Sequence, residues 1–357
     1  VDVADVYDEF SFGQVNAEAI RSFVQYGFQS WTERPVYVLL FGRFSFDYRN
    51  LFRQPRVARH NLLPGLPFQS VRRGLSFTDE FYGRVDDDLF MDVFVGRFSV
   101  SRISQANTVV QKVITYDEAP SAQWRDRVLF MANWDEGDPL LFTRPSDSLA
   151  TFVDAVGLEN FKVYHDEDTP PEPNASSQEV IRQINEGRLI VNFMGHGSAA
   201  SMSKFIAGTF QQGAFNYMSQ IENADRLPLF IGMSCLNGLY WDPRLICLAE
   251  EMTNKRNGGA IAYVSASSLA FIRINNAINL SMFQHTFENG VLAFGQSLAL
   301  AKMSELAVLP SSELGVIMMN LMGDPAQKIA IPQGPDFVLD DKALQLDQLG
   351  ELTTGDS

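Results

Sequence analysis

The chain has 357 residues, 46% of them hydrophobic, with 28 basic against 43 acidic groups and a formal net charge of −15. That apolar fraction excludes wholesale disorder, and two cysteines exclude a disulfide-dense mini-domain or a multi-cysteine metal framework. An acidic surface repels phosphate backbones and no basic patch offsets it, so no nucleic-acid partner is expected.

In chain order, helical periodicity at Asn16–Tyr26 precedes an apolar run at Val36–Phe41. A helical pattern at Gln105–Tyr116 then leads into the run Val128–Met131. Helices at Ser146–Val156 and Ser177–Gln183, the latter started by Ser177, precede Leu189–Met194 and Leu229–Met233. A helical crossover is expected between Gln211 and Ala224, which makes those two strands parallel and adjacent. Leu245–Asn254, Ala260–Val264, Asn276–Asn289 and Gly295–Ala307 complete a helix, a strand and two more helices. The runs are nearly continuous rather than alternating, as in strands covered on both faces, so the fold class is α/β with a mostly parallel sheet flanked by helices.

The chain divides near residue 122, after Glu118-Ala119-Pro120-Ser121, giving units 1–122 and 123–333; residues 334–357 read as a tail or the start of a following domain. No apolar run is long enough to span a bilayer, so no transmembrane segment is expected. The first residue is Val and no charged-then-apolar leader follows, which reads as a processed chain or an excised fragment.

Two strand ends concentrate reactive groups. Leu189–Met194 stops in Gly195-His196-Gly197-Ser198, and Leu229–Met233 stops in Ser234-Cys235-Leu236-Asn237-Gly238. Ligands gather outside the carboxyl ends of parallel strands, so His196 and Cys235 are expected on one edge. An imidazole beside a thiol generates the thiolate nucleophile. The flanking glycines let the backbone turn sharply and a substrate approach closely, with the Gly197 and Cys235 N–H groups as oxyanion donors. His60, His165 and His285 lack that strand-end glycine setting, and Cys247 has the apolar surroundings of a core residue. A Cys235–Cys247 disulfide is the rival arrangement that would abolish the chemistry.

The ordered series Val6-Tyr7-Asp8-Glu9-Phe10, Val38–Gly42, Phe46–Asn50, Phe81-Tyr82-Gly83, Val95–Phe98, Asn192–Ser198, Ser234–Gly238, Cys247–Glu250 and Met322-Gly323-Asp324-Pro325 resembles the gingipain-like cysteine peptidases. The resemblance runs through nearly the whole chain. It implies a caspase-like fold preceded by a smaller α/β subdomain, with His196 as general acid/base and Cys235 as nucleophile. It also implies an acidic residue orienting the imidazole, matched by Glu136, with Asp135 as the neighbouring alternative. Ser265–Phe271 matches the region walling the primary pocket in relatives, making Ser267, Leu269 and Phe271 the pocket candidates.

Relatives commonly carry Gly-Asp where this chain has Gly42-Arg43, and no specificity-pocket aspartate can be aligned, so arginine preference does not carry over. The resemblance further implies protein or peptide substrates, no cofactor for the chemistry, a secreted or cell-envelope location, and structural calcium. Asp86-Asp87-Asp88 and Asp166-Glu167-Asp168 are the acidic clusters for that ion, neither with EF-hand spacing. A sortase-like transpeptidase and a catalytically silent binding or adhesion module are the alternative functions. The sequence leaves the oligomeric state open.

Overall fold

The computed structural model describes residues 1–47, 51, 62–86, 88–118, 123–170, 174–209 and 217–332, with two short strands at 344–346 and 352–354. The helices α1 (Val3–Ser11) and α2 (Ala17–Ser30) come first, their N-termini capped by the Asp2 and Asn16 side chains. Strands follow at β1 (Tyr37–Phe41), β2 (Leu66–Ser70), β3 (Gly74–Thr78) and β4 (Phe94–Phe98), and then helix α3 (Ile103–Glu118). The next elements are β5 (Arg127–Ala132), α4 (Thr143–Ala155), β6 (Glu159–Tyr164), α5 (Ala175–Glu186) and β7 (Ile190–Met194). Three two-residue strands, β8 (Gly197–Ser198), β9 (Ser201–Met202) and β10 (Ile206–Ala207), form a small sheet before β11 (Leu229–Met233). Helix α6 (Leu248–Asn254), β12 (Ala262–Ala266), α7 (Ile272–Phe283), α8 (Phe294–Val308), α9 (Glu313–Val316) and β13 (Met319–Met322) complete the framework.

Among the described residues, eight strands form one sheet in the order β1-β4-β13-β12-β11-β7-β5-β6. Every pairing is parallel except β12 with β13. Two large apolar clusters cover the sheet. One gathers Val128, Phe130, Ile190, Ile231 and Val264 with α4, α7 and α8. The other gathers Leu129, Met131, Val191, Phe193 and Phe230 with α5 and α6. Alternate residues of the same strands thus enter opposite cores, which is why the runs read as continuously apolar.

The expected division near residue 122 falls among residues 119–122, outside the described set; strands from both sides of it share the sheet. Part of the expected 211–224 crossover also lies outside, and its described portion carries a 3₁₀ turn at Tyr217–Gln220. Helix α5 starts earlier than expected, because the Asn174 side chain, not Ser177, caps it and accepts from Ser177 N–H at 2.8 Å. The unusual Arg43 is buried. Its Nε donates to Glu250 at 2.8 Å and its Nη2 to Leu245 O at 2.9 Å. Glu250 also accepts from Ser99 Oγ and from Cys247 N–H, so the residue after β4 and the start of α6 share one carboxylate. Arg97 binds Asp79 through two 2.7 Å bonds, and Asp79 receives the Tyr240 hydroxyl at 3.0 Å, joining β4 to the segment after Cys235.

Candidate active site

Register brings His196 and Cys235 to one edge of the sheet. Strands β7 and β11 are parallel neighbours in which Met194 pairs with Met233. His196 and Cys235 each follow their methionine by two residues, so both leave the same edge of the sheet at the same rung. Strand β5, on the other side of β7, pairs Ala132 with Met194 and delivers Asn133 and Asp135 to that edge.

Asp135, not Glu136, meets the imidazole: its Oδ2 lies 2.9 Å from His196 Nε2. Glu136 is exposed and has no hydrogen bond or ion pair among the described residues. The reason is local. Asp135 Oδ1 accepts Gly137 N–H at 2.9 Å, a tight turn that holds its second oxygen toward the ring. The bonds from His196 and from Gly137 N–H keep the Asp135 carboxyl below the usual aspartate range. The Phe142 ring and the imidazole pack edge to face, centroids 5.2 Å apart at 84°.

The glycines around His196 serve close packing. Neither has a positive φ. A Cβ on Gly195 would stand 2.2 Å from Asn133 Oδ1, and one on Gly197 would stand 2.7 Å from Ser234 Oγ. Asn133 needs that approach: its Oδ1 accepts His196 N–H at 2.9 Å and its Nδ2 donates to Ser203 O. Ser203 N–H in turn bonds His196 O at 3.0 Å. That bond makes Gly197–Met202 a non-hydrogen-bonded pair of the small sheet, leaving the Gly197 N–H outside the ladder.

The cysteine turn is anchored from below. Asn237, fully buried, accepts from Ser234 Oγ at 2.7 Å and donates to Ser198 O at 2.6 Å and Ser201 O at 3.0 Å. One amide therefore ties the turn carrying Cys235 to the hairpin that follows His196. Leu236 holds φ 65°, a left-handed conformation costly for a side chain of its kind. Its N–H bonds Ser268 O, and Gly238 N–H bonds Ala266 O. The Cys235 N–H has no protein acceptor among the described residues.

Both cysteines are free, which removes the disulfide alternative. Cys247 is fully buried and burial pushes its thiol well above the ordinary range, whereas Cys235 is partly exposed. His196 and Cys235 line one open cleft of about 90 Å³ with Phe142 and Met194.

The pocket candidates fare unevenly. Ser267 is buried, its Oγ donating to Phe77 O and its carbonyl accepting from Trp241, so it does not face the cleft. Leu269 and Phe271 are half-buried and lie outside the lining, while their neighbours Ala270 and Ile272 are in it. Arg72, Asn275 and Asn276, none of which the sequence suggested, also line it. No group of three or more His, Cys, Asp or Glu among the described residues can hold a metal. Asp86 and Asp88 accept loop N–H groups, Asp166 accepts the Thr169 hydroxyl, and Asp87 lies outside the described residues. His60 is also outside, and no helix among the described residues is long and apolar enough to cross a membrane.

A family model, peptidase family C25, matches residues 1–330. Gingipain R2 of Porphyromonas gingivalis is 25% identical over 255 residues, covering 69% of this chain and 30% of its own length. Lys-gingipain of the same organism is 26% identical over 192 residues, 53% of this chain and 10% of the relative. The chain thus spans less than a third of the length of these relatives. Among solved structures, that of the Arg-specific cysteine proteinase gingipain R matches with a TM-score of 0.73 at 20% identity, covering 92% of this chain and 75% of that one. A complex of gingipain pro- and mature domains gives 0.73 at 19% identity, covering 92% and 77%. The shared architecture is the caspase-like α/β sheet.

Proposed function

The chain belongs to peptidase family C25, and from that membership we propose that it hydrolyses peptide bonds as a cysteine endopeptidase, with Cys235 as nucleophile and His196 as general acid and base. One observation carries the assignment: sulfur and imidazole, set two residues past paired positions of adjacent parallel strands, line the same open cleft.

Because Nε2 is taken by Asp135, His196 offers Nδ1 to the thiol. Nδ1 removes the Cys235 proton, and the thiolate attacks the peptide carbonyl carbon. The negative charge that develops on oxygen is met by the N–H groups of Gly197 and Cys235, each donor worth about 3 kcal/mol in the transition state. Collapse breaks the C–N bond, and the imidazolium gives its proton to the departing amine, leaving a thioester on Cys235. Water, deprotonated by His196, attacks that thioester and releases the acid, restoring the thiol. Asp135 holds the ring in the Nε2–H tautomer and stabilises its charged form. These residues carry every proton and bond, so the chemistry needs no cofactor. Protein or peptide substrates, and action as a secreted or cell-envelope enzyme, follow from the same reading.

The test is to mix enzyme with a cleavable peptide, quench in acid within the first turnover and weigh the Cys235-bearing fragment. The acyl moiety is expected on Cys235; cleavage with no acyl adduct there under conditions that trap it would reject the mechanism.

A further inference from the structure

One cationic side chain lines the cleft beside Cys235. Arg72, in the exposed turn between β2 and β3, lines it, and its guanidinium lies over the Phe271 ring at 4.8 Å. In a chain of net charge −15, this arginine has no carboxylate partner among the described residues, whereas the adjacent Arg73 reaches Asp242. Among the described residues it is the only lysine, arginine, aspartate or glutamate in the lining.

Two further features share that sign. Helix α7 begins at the cleft, with Ala270, Ile272, Asn275 and Asn276 in the wall. Phe271 at its N-cap supplies no side-chain bond and its first turn holds no acidic residue, so the positive helix end is uncompensated. Asn275, in the same wall, is only 5% exposed; its side-chain amide bonds no protein group among the described residues and stays open to solvent in the cleft. An amide so placed exchanges cleft water for a ligand's oxygens without breaking a protein bond.

We propose that this is an acidic-side-chain pocket, in which Arg72, the Asn275 amide and the open start of α7 select peptides carrying aspartate or glutamate next to the cleaved bond. The volume of about 90 Å³ suits such a short side chain. Guanidinium and amide supply paired donors to the two carboxylate oxygens, and the ring of Phe271 keeps the guanidinium from folding away. The preference is opposite in sign to the one stated in the names of the Arg-specific and Lys-gingipain relatives.

This inference rests on the peptidase reading for its substrate, and two measurements separate their failures. In an unbiased peptide library read by mass spectrometry, the wild type is expected to favour Asp or Glu over Lys or Arg at least tenfold at a position flanking the cut. Arg72→Glu is expected to reverse that order; Arg72 is exposed in a turn, so the change spares the core. Cleavage beside Lys or Arg, or indifference to charge, overturns the pocket and leaves the cysteine peptidase standing. If nothing is cleaved, the peptidase reading falls and alkylation of Cys235 judges the pocket. The ratio of iodoacetate to iodoacetamide rates is then expected to drop at least threefold in Arg72→Gln. An unchanged ratio overturns the inference.

Discussion

Asp135 Oδ2 lies 2.9 Å from His196 Nε2, a contact that occupies one imidazole nitrogen and leaves Nδ1 for the proposed chemistry. With Nε2 donating, Nδ1 keeps its lone pair and can take the thiol proton. Asp135→Asn preserves shape but can stabilise the opposite tautomer. Since Asp135 is 24% exposed, kcat is expected to fall by about 10²–10³-fold, less than for a fully buried triad aspartate. Glu136→Gln is expected to stay within about twofold of wild type, the size of an ordinary surface change. Steady-state kinetics of the two variants side by side checks the assignment.

Asn237 holds the two halves of the site together through Ser198 O, Ser201 O and Ser234 Oγ. Asn237→Asp keeps the outline and replaces the donor with an acceptor facing two carbonyls. Loss of those bonds with buried groups left unpaired is expected to cost about 2–3 kcal/mol in urea unfolding, together with a fall in kcat.

His165, 5% exposed and stacked on Phe205, gives a pH prediction. Its Nδ1 accepts from Asn133 Nδ2, which requires the neutral ring, and burial pushes its pKa from 6.5 down to about 4. The unfolded chain therefore binds this proton first as pH falls. The stabilising contribution is complete above pH 6.5, is lost progressively between 6.5 and 4, and changes no further below that. The shift corresponds to about 3 kcal/mol. His165→Phe keeps a ring against Phe205 and is expected to flatten the stability difference between pH 7 and pH 4.5 relative to wild type. Equal slopes in the two proteins would show that His165 titrates normally in the fold.

Arg43 and Glu250 are both buried, and each depends on the other. Arg43→Met strands the Glu250 carboxylate and is expected to destabilise by about 3–5 kcal/mol, while adding Glu250→Gln should restore part of the loss. Denaturant titration of the single and double variants measures that coupling.

The central strands were legible in the sequence because both faces are covered, so β5, β7 and β11 read as unbroken apolar runs. Others were hidden by their functions within the fold. Strand β4 carries Gly96 and the buried Arg97, and β13 carries Asn320, whose Oδ1 bonds Thr78 and Asp79; polar residues of this kind break the apolar signal. Edge strand β6 is half-exposed and mixed in composition. His196 and Cys235 were legible as strand-end residues. The choice between Asp135 and Glu136 was not, since it depends on the turn at Gly137 rather than on residue type. Asn237 offered only its place two residues past the cysteine, and Arg72 gave no signal, because it reaches the cleft from a hairpin more than 160 residues earlier in the chain.

The most direct measurement compares turnover of an unbiased peptide mixture by the wild type and by Cys235→Ala, with folding of both verified by thermal unfolding. The account predicts that cleavage by the variant drops to background while its unfolding temperature stays close to that of the wild type. Undiminished cleavage by Cys235→Ala would contradict it.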